Sequence, residues 1–152
     1  MALPNIFTAS VSNEIISRIN NLSNATPAQW GKMNVTQMLA HCNVTFEFAY
    51  EEKHKKPNFF MAFILKNLVK GGLVSEKPYK KSASTAPEFI IKDDRNFDEE
   101  KNRLIEYINR TVQLGQNHFE GRESMIFGEM TSTEWNNLFY KHLDHHLTQF
   151  GV

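Results

Sequence analysis

Apolar residues return every three or four positions along four long stretches of this chain, and that period constrains its fold more than any other feature. From Ser12 to Leu22, the residues Ile15, Ile16, Ile19 and Leu22 share one side of a helix, with Ser10 or Ser12 available to cap its start. Ser23, Asn24, Thr26, Pro27 and Gly31 then break the pattern. A second helix runs from Asn34 or Val35 to Tyr50 or beyond. It ends before Lys55-Lys56-Pro57, because proline disfavours helical geometry in the residue ahead of it. A third long helix starts near Asp98-Glu99-Glu100, where carboxylates suit the positive end of the helix dipole, and runs through Leu104, Ile105, Ile108, Val112 and Leu114 to about His118. The last opens at Thr131 or Ser132, with Glu134 as an early carboxylate, and continues to Phe150.

Between these lie shorter signals. Phe59 to Lys70 predicts a short, strongly apolar helix stopped by Gly71-Gly72. Residues 73–96 carry Pro78, Pro87 and Ser82-Ala83-Ser84-Thr85, and predict a long surface connection. Phe89-Ile90-Ile91 forms a brief strand there or pins the loop to the body. A loop with Gly121 and Gly128 precedes the last helix, and no hairpin pattern is evident. The expectation is a single all-α domain over residues 1–152: a four-helix bundle with a short extra helix and a long crossover loop.

Charge and composition narrow the function. Lys+Arg and Asp+Glu both number 17, so no basic surplus exists to neutralise a phosphate backbone, and a dedicated nucleic-acid binder is not expected. The apolar run from Phe59 to Val69 is interrupted by Lys66 and Asn67 and is too short to span a bilayer, so no membrane partner is expected. Met1-Ala2-Leu3-Pro4-Asn5 lacks the basic start and apolar run of a secretory signal, and the lone Cys42 cannot form an intrachain disulfide. Together these predict a cytoplasmic protein.

Three of six histidines fall within five residues, His142, His145 and His146, and a fourth, His41, stands far upstream. Stepping about 100° per residue from His142 places His146 about 40° to one side and Gln149 about 20° to the other. His145 falls about 60° the opposite way, towards Lys141 and the polar side. His142 and His146 are therefore the inward pair, and His41 borders a buried face at the middle of its own helix. Imidazole is a common ligand for zinc, nickel, copper and iron, so two helices can bring three ligands together. The competing reading is structural: histidines near a helix C-terminus favour its dipole, with Gln149 or Asp144 satisfying their ring nitrogens.

The C-terminal pattern Trp135…Tyr140-Lys141-His142-Leu143-Asp144-His145-His146-Leu147-Thr148-Gln149-Phe150-Gly151 resembles the last helix of the DinB-like superfamily, and is most similar to a branch of unknown function. Trp30-Gly31-Lys32-Met33-Asn34-Val35-Thr36-Gln37-Met38-Leu39-Ala40-His41 resembles that branch's second-helix motif, and Phe127-Gly128-Glu129-Met130-Thr131 its entry into the last helix. The chain departs from the branch at Ser124-Met125-Ile126, where His-Pro often precedes the Phe-Gly; a substitute role for His118 is not expected. The resemblance implies an up-down-down-up four-helix bundle, a homodimer, and a divalent metal, nickel or zinc before iron or manganese, held by His41, His142 and His146. It further implies chemistry on a small molecule, with transfer of a small thiol as the leading reaction. Three neutral histidines leave coordination positions open for water or substrate. Gln149, one turn from His146, is the best supporting or substrate-facing residue.

Other features carry less. Glu51-Glu52-Lys53-His54 holds one Glu-x-x-His, where a di-iron bundle needs two, and reads as surface charge. Cys42 sits among Met38, Thr45, Phe46 and Ala49 and reads as buried rather than nucleophilic. Lys77-Pro78-Tyr79-Lys80-Lys81 reads as a solvated basic loop. Glu47 and Tyr140 point away from the histidine direction. The stripe Phe59, Phe60, Phe63 and Ile64 reads as core, with room for a dimer patch. Three functional readings follow: a metal-dependent enzyme (a thiol transferase or a hydrolase), a non-catalytic binding or stress module, and a structural dimer with hydrogen-bonded core histidines.

Overall fold

Polar caps set where the helices begin in the computed structural model, which describes residues 1–152. Asn34 and Gln37 form a reciprocal capping box that starts α2 (Val35–Tyr50), and Thr131 and Glu134 form another that starts α7 (Ser132–Gln149). Asn96 accepts from the Glu99 N–H at the head of α5 (Phe97–Leu114), where Asp98, Glu99 and Glu100 occupy the first turn. The first helix, α1 (Ala9–Asn20), begins earlier than Ser10 or Ser12 would have capped it. Thr8 is its N-cap, and the Ser12 hydroxyl instead donates to the Ala9 carbonyl.

These four helices surround one core. α1 packs on α5 and α7, and α2 packs on α5 and α7. Ile15 and Ile19, Met38 and Leu39, Leu104 and Ile108, and Phe139 and Leu143 are all 1% exposed or less. Phe46 of α2 stacks between Phe139 of α7 (centroids 4.7 Å) and Tyr107 of α5 (5.6 Å), which clamps the three helices at mid-height. Arg18 ties the ends of α1 and α7 together through Asp144, Thr148 and the Val152 carbonyl. No helix is long and apolar enough to cross a membrane.

Several local expectations are corrected. α5 stops at Leu114 rather than near His118, because Gly115 turns away at φ 75° and a one-turn helix, α6 (Gln116–Phe119), follows. A two-stranded antiparallel hairpin, β1 (Arg122–Ser124) and β2 (Gly128–Met130), occupies the loop before α7. Each strand has only three residues, too few for a period of two to register. The hairpin is held from within, since the Ser124 hydroxyl accepts from the Ile126 and Phe127 N–H groups. The chain is thus mostly helical with one small sheet, not purely α.

The apolar helix also behaves differently. It comprises α3 (Phe59–Ile64), a π-turn (Leu65–Val69) and α4 (Lys70–Val74), so it passes through Gly71-Gly72 without stopping. Nothing in Phe59–Val69 is buried. Phe59, Phe60, Phe63 and Leu68 are 91%, 71%, 60% and 77% exposed, so the stripe is surface and not core. Beyond α4, residues 75–91 cross the molecule, with one 3-10 turn (Pro87–Phe89) where a strand was one alternative.

Candidate metal centre

His41 sits at the middle of α2, and His142 and His146 one turn apart near the end of α7. Their ring centroids form a nearly equilateral triangle with sides of 4.9, 4.6 and 4.8 Å. They are 5%, 9% and 7% exposed, and one nitrogen from each lies within 4.8 Å of the others. The three residues expected to converge do converge.

Their outer nitrogens decide what the inner ones can do. His41 Nδ1 is 2.9 Å from the Phe89 carbonyl oxygen, which can only accept, so Nδ1 carries the proton and Nε2 is a bare lone pair. His146 Nδ1 is 2.7 Å from Gln149 Oε1, while Gln149 Nε2 donates to the Trp30 carbonyl at 2.8 Å. The amide is oriented by that second bond, so His146 also keeps its proton on Nδ1 and bares Nε2. His142 is different. Its Nδ1 faces the Thr45 hydroxyl at 2.9 Å, which can donate or accept, and its Nε2 is 3.0 Å from His41 Nε2. In this geometry His142 donates that Nε2 proton to His41, and Thr45 donates to Nδ1. A cation at the centre requires only that the His142 proton move to Nδ1 and that Thr45 become the acceptor.

Electrostatics favour neutral rings. Burial holds His142 well below the usual histidine range, with His146 and His41 adding to the effect. Burial pushes His146 down to about 3, helped by His41 and opposed by the Gln149 hydrogen bond. His41 is lowered by burial, against the pull of the Phe89 carbonyl. Neutral imidazoles with outward N–H groups held by oxygen acceptors are what metal-binding histidines need. The donor set therefore fits a divalent ion, with small ring movements that part the Nε2 atoms of His41 and His142 from their 3.0 Å contact.

The remaining candidates fall elsewhere. His145 is half-buried beside the triangle, edge-on to Trp30 at 5.9 Å and Tyr79 at 5.6 Å. His118 is exposed and bonded to Arg122, away from the cluster. His54 of the Glu-x-x-His bonds Glu47, which is buried and also paired to Arg103 and Lys53. That network belongs to the α2–α5 contact. Asp144 pairs with Arg18 rather than with a histidine. Cys42 is buried, bonded to Met38, and its thiol is pushed up by burial.

A cover over the centre had no counterpart in the sequence reading beyond the possible anchor at Phe89. Residues 75–91 lie across it, with Phe89 edge-on to His41 at 5.4 Å and Tyr79 edge-on to His142 at 6.4 Å. Lys81, from the loop read as solvated, sits 4.1 Å over the Trp30 ring. Lys141 anchors the near end. Although assigned to the polar side, it is 5% exposed and donates to the carbonyls of Gly72, Ser75 and Lys77 at 3.0, 2.5 and 3.0 Å. Burial lowers its ammonium to about 8. Two surface cavities lie away from the cluster, and neither includes one of its histidines. One lies between α2, α3 and the hairpin, and the other is a polar hollow at the head of α2.

No curated protein and no solved structure matches the chain. One family model does, described as a protein of unknown function (DUF1569), and its match covers residues 6–151. With nearly the whole length matched, from Ile6 before α1 to Gly151 after α7, the chain belongs to the DUF1569 family.

Proposed function

We propose that this protein binds a divalent metal ion through His41, His142 and His146, as a DinB-like four-helix bundle acting on a small molecule. The observation that carries the reading is the tautomer set: two of three histidines have Nδ1 pinned to oxygens that cannot donate, which leaves Nε2 lone pairs for the centre. The mutual packing of α1, α2, α5 and α7, with a long crossover between α2 and α5, supports the bundle arrangement. Nickel or zinc suits three imidazoles best, with iron or manganese less so. Such an ion supplies Lewis acidity, which stabilises a thiolate or a developing oxyanion. Thiol-group transfer is the leading reaction. Trp30 holds its indole N–H buried without a partner beneath Lys81, a donor suited to an acceptor on a bound ligand.

The covered centre favours a second reading: a non-catalytic metal or ligand module. The 75–91 segment lies over the histidines, with Phe89 and Tyr79 edge-on to their rings, so its movement would open the ion to substrate. For assembly, we place a second copy on the exposed stripe. At roughly 150–250 Å² per aromatic side chain, Phe59, Phe60 and Phe63 with Leu68 offer about 500–700 Å², close to the 800 Å² per partner of a standard interface. Two-fold pairing hides the stripe on both chains at once. The reduced, buried Cys42 suits a cytoplasmic setting.

Elemental mass spectrometry on untagged protein, with His41→Ala and His142→Ala beside it, tests the metal reading. About one nickel, zinc, iron or manganese per chain, lost in both variants, supports it. Absence of metal together with failure to bind any of these ions on titration overturns it. With metal established, turnover of thiol substrates separates the enzyme from the binding module.

A further inference from the structure

We infer that the turn Gln29–Gly31 is a positioning device that fixes the tautomer of His146, and that glycine is required at position 31 for this purpose. The inference deepens the metal-site reading, which gives the tautomer its use; the tautomer itself stands on hydrogen bonds alone. His146 can bare Nε2 only while Nδ1 has an obligate acceptor. Gln149 supplies one, but an amide can turn round, and with its nitrogen towards His146 it would force the opposite tautomer. What prevents this is the Trp30 carbonyl, which holds Gln149 Nε2 at 2.8 Å.

That carbonyl is itself held in place. The Gln29 N–H donates to the Gln149 carbonyl at 2.8 Å, so the turn and the end of α7 are joined by a backbone bond as well. The two segments are in close contact in both directions. A Cβ on Gly31 would lie 2.6 Å from Gln149 Nε2, and a Cβ on Gly151 would lie 2.6 Å from Gln29 Nε2. Gly31 also has φ +85°, a conformation that side chains disfavour. The first atom of any side chain at 31 would therefore meet the amide nitrogen that sets the orientation. The helix of His146 supplies Gln149, and a turn more than a hundred residues upstream decides which way Gln149 faces.

The test uses metal-free, full-length protein labelled with nitrogen-15, kept in chelator at pH 7.5. Histidine ring nitrogen shifts report which nitrogen of each ring carries the proton. In the native chain His146 should show protonated Nδ1 and bare Nε2, as should His41. Gly31→Ala should move His146 towards the other tautomer or average the two, and leave His41 unchanged. Gln149→Met, which keeps the glycine, should do the same without the steric contact. Gly72→Ala, where a Cβ meets nothing within 4 Å, is the control. Gly31→Ala combined with Gln149→Ala separates packing from positioning: it should regain stability lost to the clash while His146 stays disturbed. Zinc affinity, measured by competition with a chromophoric chelator, should fall about 10–100-fold in Gly31→Ala and in Gln149→Met. Retention of protonated Nδ1 on His146 in both single variants overturns the inference. A tautomer change in protein that binds no zinc in any form supports the positioning device and overturns the metal reading instead.

Discussion

In chelator, the protein should lose stability steeply between pH 6.5 and 5, and His146 alone should account for about 2 kcal/mol of the loss. In the unfolded chain a histidine titrates near 6.5, whereas burial holds folded His146 down to about 3. Below pH 6.5 the unfolded state therefore binds a proton that the folded state refuses. Stability rises with pH wherever the unfolded state binds more protons, so it falls as pH drops below 6.5 and keeps falling towards the folded value. The slope is about 1.4 kcal/mol per pH unit for each such group, which gives about 2 kcal/mol over the 1.5 units to pH 5. His142, which burial also holds well below the usual histidine range, should act in the same direction. The window is clear of the buried carboxylates: Glu47 and Glu100 lie below the ordinary glutamate range and lose their contribution only as pH falls through and below about 4.5. The assay is urea unfolding in chelator at several pH values between 5 and 8, with His146→Gln beside the native chain. Glutamine cannot titrate, so the variant's slope should be shallower by about one proton. Equal slopes for the two proteins would refute the reasoning.

Further outcomes follow from the same contacts. Thr45→Val removes the only acceptor shown for His142 Nδ1, so zinc affinity should fall about 10–100-fold while the fold survives; a chelator competition titration measures it. Zinc at a hundred times its dissociation constant should stabilise the native chain by about 2.7 kcal/mol and His142→Ala not at all, as read by thermal unfolding. Phe59→Asp with Phe63→Asp places charge on the exposed stripe and should halve the mass found by light scattering; an unchanged mass would remove that surface as the interface.

The histidine trio was legible because helix geometry is: a four-residue spacing puts His142 and His146 on one side of α7, and His41 lies mid-helix on a buried face of α2. Gln149 was legible for the same reason, one turn beyond His146. What fixes the tautomers was less so. Two of the groups involved, at Phe89 and Trp30, are backbone carbonyls, and every residue has one. Lys141 misled by type, since a lysine on a helix wheel is assigned to solvent, yet carbonyls left free around the end of α4 can draw its ammonium inward. The Phe59–Val69 stripe misled in the other direction, because hydrophobicity predicts burial only when something lies opposite. The hairpin escaped notice because three-residue strands carry no period.

Lys141 also gives the sharpest handle on access to the centre. Polar contacts hold the 75–91 cover near both ends: Lys141 on the carbonyls of Gly72, Ser75 and Lys77, Tyr79 on the Leu73 carbonyl and the Met1 ammonium on Glu76 at one, and His41 on the Phe89 carbonyl with Gln37 on the Ile91 carbonyl at the other. Between them Lys80–Glu88 is exposed throughout. Lys141→Met keeps the apolar stem and its packing while removing every donor to Gly72, Ser75 and Lys77. A hydrogen bond from a charged donor contributes about 1.5–3 kcal/mol, so with all three lost the near end of the cover should detach. Amide exchange should quicken across residues 75–91 by about 10-fold or more and stay unchanged in the middle of α2 and α7. If the cover is the barrier to the histidines, zinc should also enter faster in Lys141→Met. Its affinity should fall, because the Phe89 carbonyl that orients His41 is less often in place. Faster exchange with no change in the zinc association rate would mean that ions reach the centre by another route. Unchanged exchange would mean that Tyr79 and Phe89, through their ring contacts with the histidines, hold the cover without the lysine.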